Sequence, residues 1–239
     1  MNPLRLVLWN VEWAKTSMRR GQRIAEILAD VAPDVMCLTE TTLDLLPAGG
    51  NVIEAEPDYG YAHDGGRRKV VLWSKTPWTD VDDVGSPQMP GGRYISGCTL
   101  GVRFTGVCVP WRDAHVRTGR RDRKAWQDHL VYLEHLAPIA SQQASEHVPV
   151  CLLGDFNQRV PRFRQPPHVH EALRSVLSAG LTCVTGDDVG LAHDLIDHVA
   201  VDSGFLVTDL VLLPKVTPDG VRLSDHEGVV ITLAAAGET

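Results

Sequence analysis

Apolar residues fall along this chain in short continuous runs. Leu4 to Trp9, Val35 to Leu38, Val70 to Ser74, Ile95 to Leu100, Gly101 to Val109 and Val148 to Leu153 each have the length and apolarity of a buried strand. Ile196 to Val201, Phe205 to Leu213 and Val229 to Leu233 add three more, and the second of these is expected to pair with the first as a hairpin. Helical spacing appears in Arg20 to Val31, where Ile24, Ile27, Leu28 and Val31 recur and Pro33 follows. It appears again at Trp126, Leu130, Leu133 and Leu136, and in the shorter stretch Glu171 to Leu177. Strand, helix, strand within the first forty residues predicts a crossover unit. Thr41 to Arg68 is mixed, and Thr76 to Arg93 is rich in Pro, Gly and Asp, a long loop with room for one strand. No repeat, low-complexity linker or composition break divides the chain, so a single domain over residues 1–239 is expected.

Polar residues at the strand ends change this picture. Leu152-Leu153-Gly154-Asp155-Phe156-Asn157 is a buried run that ends in a Gly and two polar side chains. If the backbone stays extended there, Asp155 and Asn157 face the same way. A carboxylate and an amide at a strand's C-terminal end can handle a proton and donate to an oxyanion. Taken alone, the same residues also read as a polar turn capping a strand. Five other polar residues lie beside buried runs, Asn10, Glu40, Asp197, Asp225 and His226, making a set of seven with Asp155 and Asn157. Carboxylates that converge on one point repel unless a cation lies between them. Glu40, Asp225 and the amide oxygen of Asn10 make a hard, oxygen-only donor set suited to Mg²⁺ or Mn²⁺.

Composition removes several alternatives. In 239 residues, 44% are hydrophobic, enough for a substantial core. No apolar run is long enough to span a bilayer, so no membrane segment is expected. Five scattered cysteines without a CxxC pair suggest reduced thiols in a cytoplasmic protein. A net charge of −7 argues against a protein that coats nucleic acid non-specifically, though not against a local basic groove. Such a concentration runs from Arg112 to Lys124, with Arg112, Arg117, Arg120, Arg121, Arg123 and Lys124 set against Asp113 and Asp122. Arg120 to Lys124 reads as a solvated helix start. Arg112 and His115 follow a strand end directly and read as substrate-binding residues.

The set as a whole resembles the endonuclease/exonuclease/phosphatase superfamily. Trp9-Asn10, Leu38-Thr39-Glu40, Gly154-Asp155-Phe156-Asn157, Ile196-Asp197 and Ser224-Asp225-His226 carry the resemblance, in the family's order and almost end to end. It implies an α/β fold: a four-layer α/β/β/α sandwich of two packed mixed β-sheets flanked by helices. It also implies a metal-dependent phosphoesterase working by in-line attack of water. Glu40 would be the main metal ligand, with Asn10 and Asp225 nearby. Asp155 would orient or deprotonate the water, Asn157 and His226 would contact phosphate oxygens, and Asp197 would hold the His226 ring. His198 has no such support and is expected to be structural.

Two positions depart from the family pattern. Cys108 stands where many members carry a His or Tyr that contacts phosphate, a contact that Arg112 or His115 is expected to take over. Asp194 stands where abasic-site endonucleases usually carry a Trp, which disfavours abasic-site recognition. The expected substrate is a phosphodiester in nucleic acid (DNA or RNA) or a nucleotide. Arg112, Arg117 and the Arg159-Arg162-Arg164 loop would form a phosphate track, and Trp111 would stack on a base. A small-molecule phosphomonoesterase or phosphodiesterase is the alternative, and a non-catalytic phosphate-binding module the last. No obligate protein partner is implied.

Overall fold

A computed structural model describes residues 2–61, 66–116, 123–186 and 195–237. In chain order its elements are β1 (Leu4–Asn10), α1 (Arg19–Val31), β2 (Val35–Thr42), β3 (Asn51–Glu54), β4 (Arg67–Ser74), β5 (Thr79–Asp82), β6 (Tyr94–Thr99) and β7 (Val102–Cys108). There follow α2 (Gln127–Ala144), β8 (Val150–Asp155), α3 (Pro167–Leu177), β9 (Thr182–Cys183), β10 (Asp197–Val201), β11 (Phe205–Leu213) and β12 (Gly228–Ala235).

The strands form two six-stranded mixed sheets, ordered β11-β12-β1-β2-β4-β3 and β5-β6-β7-β8-β10-β9. Leu6, Leu8, Cys37, Leu72, Phe104 and Leu153 belong to the core where inner faces of both sheets meet. On the outer face of the first sheet, Val7, Trp9, Met36 and Leu38 pack with Ile24 and Leu28 of α1. On the outer face of the second, Val107, Leu152 and Ala200 pack with Tyr132 and Leu136 of α2 and Leu173 of α3. This is the expected four-layer α/β/β/α sandwich. The strands read as unbroken apolar runs because each central strand is covered on both faces.

The two sheets share one construction. β1 and β2 pair in parallel across the α1 crossover, and β7 and β8 pair in parallel across the α2 crossover. Each unit then adds an antiparallel neighbour, β4 beside β2 and β10 beside β8. The C-terminal ends of parallel strands in a crossover unit are where side chains are free to meet a ligand.

Two expectations about the chain need correction. β11 is not the hairpin partner of β10: it pairs with β12 in the other sheet. Both edges of β10 are already taken, by β8 and β9, so β11 has no edge there to join. The mixed stretch Thr41 to Arg68 contains β3, and the loop Thr76 to Arg93 contains β5, the one strand it had room for. The backbone does not stay extended through Asn157, whose φ is +50°.

Candidate active site

The last residue of β8 is Asp155, and directly across the ladder stands Asp197, the first residue of β10. Both carboxylates are buried. Gly154 makes this placement possible: it has φ +151°, and a Cβ there would lie 1.9 Å from the carbonyl oxygen of Val107. Only glycine lets β8 pass that close to β7. Phe156 then turns into the core, and the left-handed Asn157 brings its amide back over Asp155.

Four hydrogen-bond contacts fix this group. Asp155 Oδ1 accepts from the backbone N–H of Asn157 at 2.9 Å. Asp155 Oδ2 accepts from the side-chain amides of Asn10 and Asn157, each at 3.1 Å. The Asn157 amide also donates to the carbonyl of Val109 at 2.8 Å. Asn157 is therefore a brace between β7, β8 and the catalytic candidate, and both its N–H bonds are engaged in this arrangement.

His226 arrives from the other sheet on a turn before β12. Ser224 rivets that turn to the end of β1: its hydroxyl donates to the Asn10 carbonyl at 2.6 Å and accepts from the His226 backbone N–H at 3.1 Å. The Trp9 indole donates to the His226 carbonyl at 3.2 Å. The His226 ring then hydrogen-bonds Asp197 through Nδ1. Potential ligand atoms of Asp155, Asp197 and His226 all lie within 4.8 Å of one another.

Burial and charge set the protonation states. Burial, with Asp197 opposite, pushes Asp155 up to about 7 despite the opposing pull of His226. Burial raises Asp197 too. Burial would pull His226 down, but the Asp197 carboxylate wins and holds it at about 10. The ring is an imidazolium at neutral pH, and Asp155 is poised to exchange a proton there.

Glu40 projects from β2 in a left-handed conformation, φ +47°, and its carbonyl accepts from the Trp13 N–H at 2.6 Å. A β-strand residue held at that dihedral is strained, and Glu12, Trp13 and Asn157 are left-handed as well. Strain concentrates at one end of the sandwich. There a cavity of about 420 Å³ opens, lined by Asn10, Glu40, Asp155, Asn157, Asp225 and His226 among others. Asp197 lies behind it, held against His226.

Trp111 also lines the cavity and is 43% exposed. Arg112 does not line it: its side chain is exposed and lies 3.7 Å from Asp113. Neither does His115, which is buried, with Nδ1 2.5 Å from Asp128 and its ring stacked on Tyr61 at 4.5 Å. Nearness in sequence to a strand end did not decide where these two side chains point. Arg117, Arg120, Arg121, Asp122 and Asp194 lie outside the described residues. Cys108 lines the cavity as a neutral thiol, pushed up to about 12 by burial. His198 is fully buried, bonded to Thr185 and to the Gln158 carbonyl, and burial holds it down at about 4.

Sequence reasoning missed the cationic and aromatic wall of this cavity: Trp13, Tyr59, Tyr61, Arg67, Lys69 and Arg93. Arg93 is buried, bonds the Cys108 carbonyl at 3.3 Å, and leaves Nε without a partner. Lys69 reaches Glu40 at 2.6 Å. The signal for Lys69 lay in the register, since it stands across the ladder from Glu40, and register is not readable before the sheet is known.

Fold and cavity together define a two-sheet α/β sandwich with a carboxylate-lined site at one end. The sequence profile of the Endonuclease/Exonuclease/phosphatase family matches residues 7–226, and the chain belongs to that family. No curated protein matches its sequence. Solved structures are similar in fold. The 3′ phosphatase NExo from Neisseria, bound to a product DNA hairpin, has TM-score 0.68 at 20% identity over 95% of this chain and 98% of that one. An AP endonuclease from Archaeoglobus fulgidus has TM-score 0.68 at 17% identity over the same shares. An endonuclease/exonuclease/phosphatase from Beutenbergia cavernae has TM-score 0.65 at 17% identity, over 99% of this chain and 72% of that one.

Proposed function

We propose that the chain acts as one cytoplasmic domain over residues 1–239 and hydrolyses a phosphodiester in nucleic acid or a nucleotide with a divalent metal. The observation that carries this reading is the Asp155–Asp197–His226 group, whose Asp155 and His226 face the cavity beside two amides while Asp197 is buried behind them. Asp155, poised near neutrality, takes the proton of the attacking water or aligns it. His226, kept charged by Asp197, donates to a phosphate oxygen as charge builds there. Asn157 holds Asp155 in line, and it reaches phosphate only by giving up one of its present bonds.

The donor set fits a hard cation. Glu40, Asp225 and the side-chain amide oxygen of Asn10 would hold Mg²⁺ or Mn²⁺, and the buried Asp197 Oδ1 has no partner of its own. When bound, the ion supplies charge neutralisation at the phosphate.

A nucleic-acid substrate is supported by the rim. Trp111 is available for stacking. Beyond Asn157, the 159–165 loop presents Phe163, 54% exposed, with the guanidinium carbons of Arg159 and Arg164 each 4.9 Å from its ring centre. Gln165, itself buried, pins that loop by donating to the Arg159 carbonyl at 2.6 Å. The Neisseria protein's product DNA hairpin and the Archaeoglobus protein's name point the same way. A small-molecule ester is the second reading, favoured by the cavity's modest volume and the chain's −7 charge.

The test is a parallel assay of plasmid DNA, single-stranded DNA and RNA oligonucleotides, bis-(4-nitrophenyl) phosphate and 4-nitrophenyl phosphate, with Mg²⁺, Mn²⁺ or chelator. Asp155→Asn is the control. Metal-dependent cleavage of nucleic acid that dies in the variant is the expected result. Turnover of the small esters alone would move the substrate to the second reading, and no turnover at all would leave a phosphate-binding module.

A further inference from the structure

Glu40 and Lys69 face each other between the register pairs Thr39–Val70 and Thr41–Arg68. Lys69 Nζ lies 2.6 Å from Glu40 Oε1, and the lysine side chain is 13% exposed. The ammonium also lies 5.0 Å from the Trp13 ring centre and 5.5 Å from that of Tyr59. Two aromatic faces thus hold a cation inside the cavity, against the carboxylate that the proposed reading assigns to a metal. An ammonium and a divalent ion cannot both sit in contact with one carboxylate oxygen without strong mutual repulsion.

Lysine differs from a metal in being tethered. Its three donors ride on a flexible four-carbon stem, so an ammonium driven off Glu40 stays within the same cavity. There it needs a new anion. The nearby Cys108 thiol is neutral, Asp155 is already bonded on both oxygens, and Asp225, the remaining carboxylate of the cavity, is one that the same reading gives to the metal. A phosphate oxygen entering beside Asp155 and His226 meets the requirement.

We infer that Lys69 is a built-in counter-ion of Glu40, which a divalent cation displaces and which then holds a phosphate oxygen of the substrate. Metal and phosphate therefore load cooperatively, each favouring the arrangement the other needs. This rests on the phosphoesterase reading of the site. It assigns Lys69 a substrate-binding role, and the signs of its effects differ from those of a structural ion pair. Removing it relieves competition for the metal while weakening the hold on phosphate.

The experiment is calorimetric and reads binding only. Mg²⁺ is titrated into the wild type, Lys69→Met and Lys69→Arg, and inorganic phosphate is then titrated with and without Mg²⁺. Lys69→Met is expected to bind Mg²⁺ about fivefold or more tighter, and to bind phosphate with Mg²⁺ present about fivefold or more weaker. Lys69→Arg, which keeps the charge, is expected to retain the wild-type direction of coupling. If Lys69→Met does not fold, Lys69→Gln takes its place under the same expectations. Unchanged or weaker Mg²⁺ binding in the folded variant overturns the inference. Absence of phosphoester turnover with these binding changes intact would remove the functional reading alone. Turnover with Mg²⁺ affinity unaffected by the substitution would remove the Lys69 role alone.

Discussion

Replacing Asp197 by Asn keeps the shape of the His226 contact and removes its charge. His226 stands at about 10 against an ordinary 6.5, a difference worth roughly 5 kcal/mol between ring states at about 1.4 kcal/mol per unit. The sign follows from the direction. A raised histidine stays cationic, and contributes its stabilisation, until pH climbs through the folded value. Without that carboxylate, burial pulls the ring down towards its ordinary 6.5, opposed only by the charges of Asp155 and Asp225. At pH 8 the wild-type ring is almost wholly charged, whereas a ring at 6.5 is charged in only about 3% of molecules. If imidazolium is the working form, kcat/KM at pH 8 falls by roughly 30-fold and recovers towards pH 6. Asp155 loses the upward push of Asp197 and, as His226 discharges, the opposing pull of the ring, so the clear shift is in the limb set by His226, which moves towards acid. The assay is kcat/KM for bis-(4-nitrophenyl) phosphate with saturating Mg²⁺ between about pH 5.5 and 9.5. A variant profile parallel to the wild type, merely lower, would refute the charge argument and leave Asp197 a positional support.

Other substitutions test other parts of the site. Asp155→Ala should lower kcat by about 10²-fold or more with the fold intact, checked by turnover beside circular dichroism. Glu40→Gln should weaken Mg²⁺ binding at least tenfold by calorimetry, since it removes a charged donor while keeping size; unchanged affinity would exclude Glu40 as a ligand. Gly154→Ala places a Cβ 1.9 Å from the Val107 carbonyl, so it should destabilise the protein by about 3 kcal/mol or more in urea melts. Arg159→Ala combined with Arg164→Ala should weaken single-stranded DNA binding and flatten its salt dependence by up to about two units of slope, while activity on bis-(4-nitrophenyl) phosphate holds. An unaltered slope would take the 159–165 loop out of the interface.

The parts of the fold legible in sequence were those governed by local pattern. Central strands covered on both faces declare themselves as apolar runs, and the α1 stripe of Ile24 and Leu28 matches its helix. Asn10, Glu40, Asp155 and His226 were visible because buried runs ended in polar residues in a recognisable order. Pairing was less legible. Nothing in Phe205 to Leu213 records that β9 has already taken the edge beside β10. Side-chain direction was hidden as well. His115 and Lys69 both lie near strand ends, yet a left-handed turn puts His115 against Asp128 while the β2–β4 register puts Lys69 against Glu40. Such choices depend on contacts between segments far apart in the chain.

The seat of β12 between β11 and β1 bears on how the chain is made. Leu4 pairs with Leu233 and Leu8 with Val229, so a strand near the beginning waits for one near the end. During synthesis Asn10, Glu40, Asp155 and Asp197 all leave the ribosome before Asp225 and His226. Until β12 zips against β1, the turn carrying those two residues has no anchor, and Asp155 and Asp197 face each other without their imidazolium. The Asp155–Asp197–His226 group is thereby completed only with the closing of a single late strand.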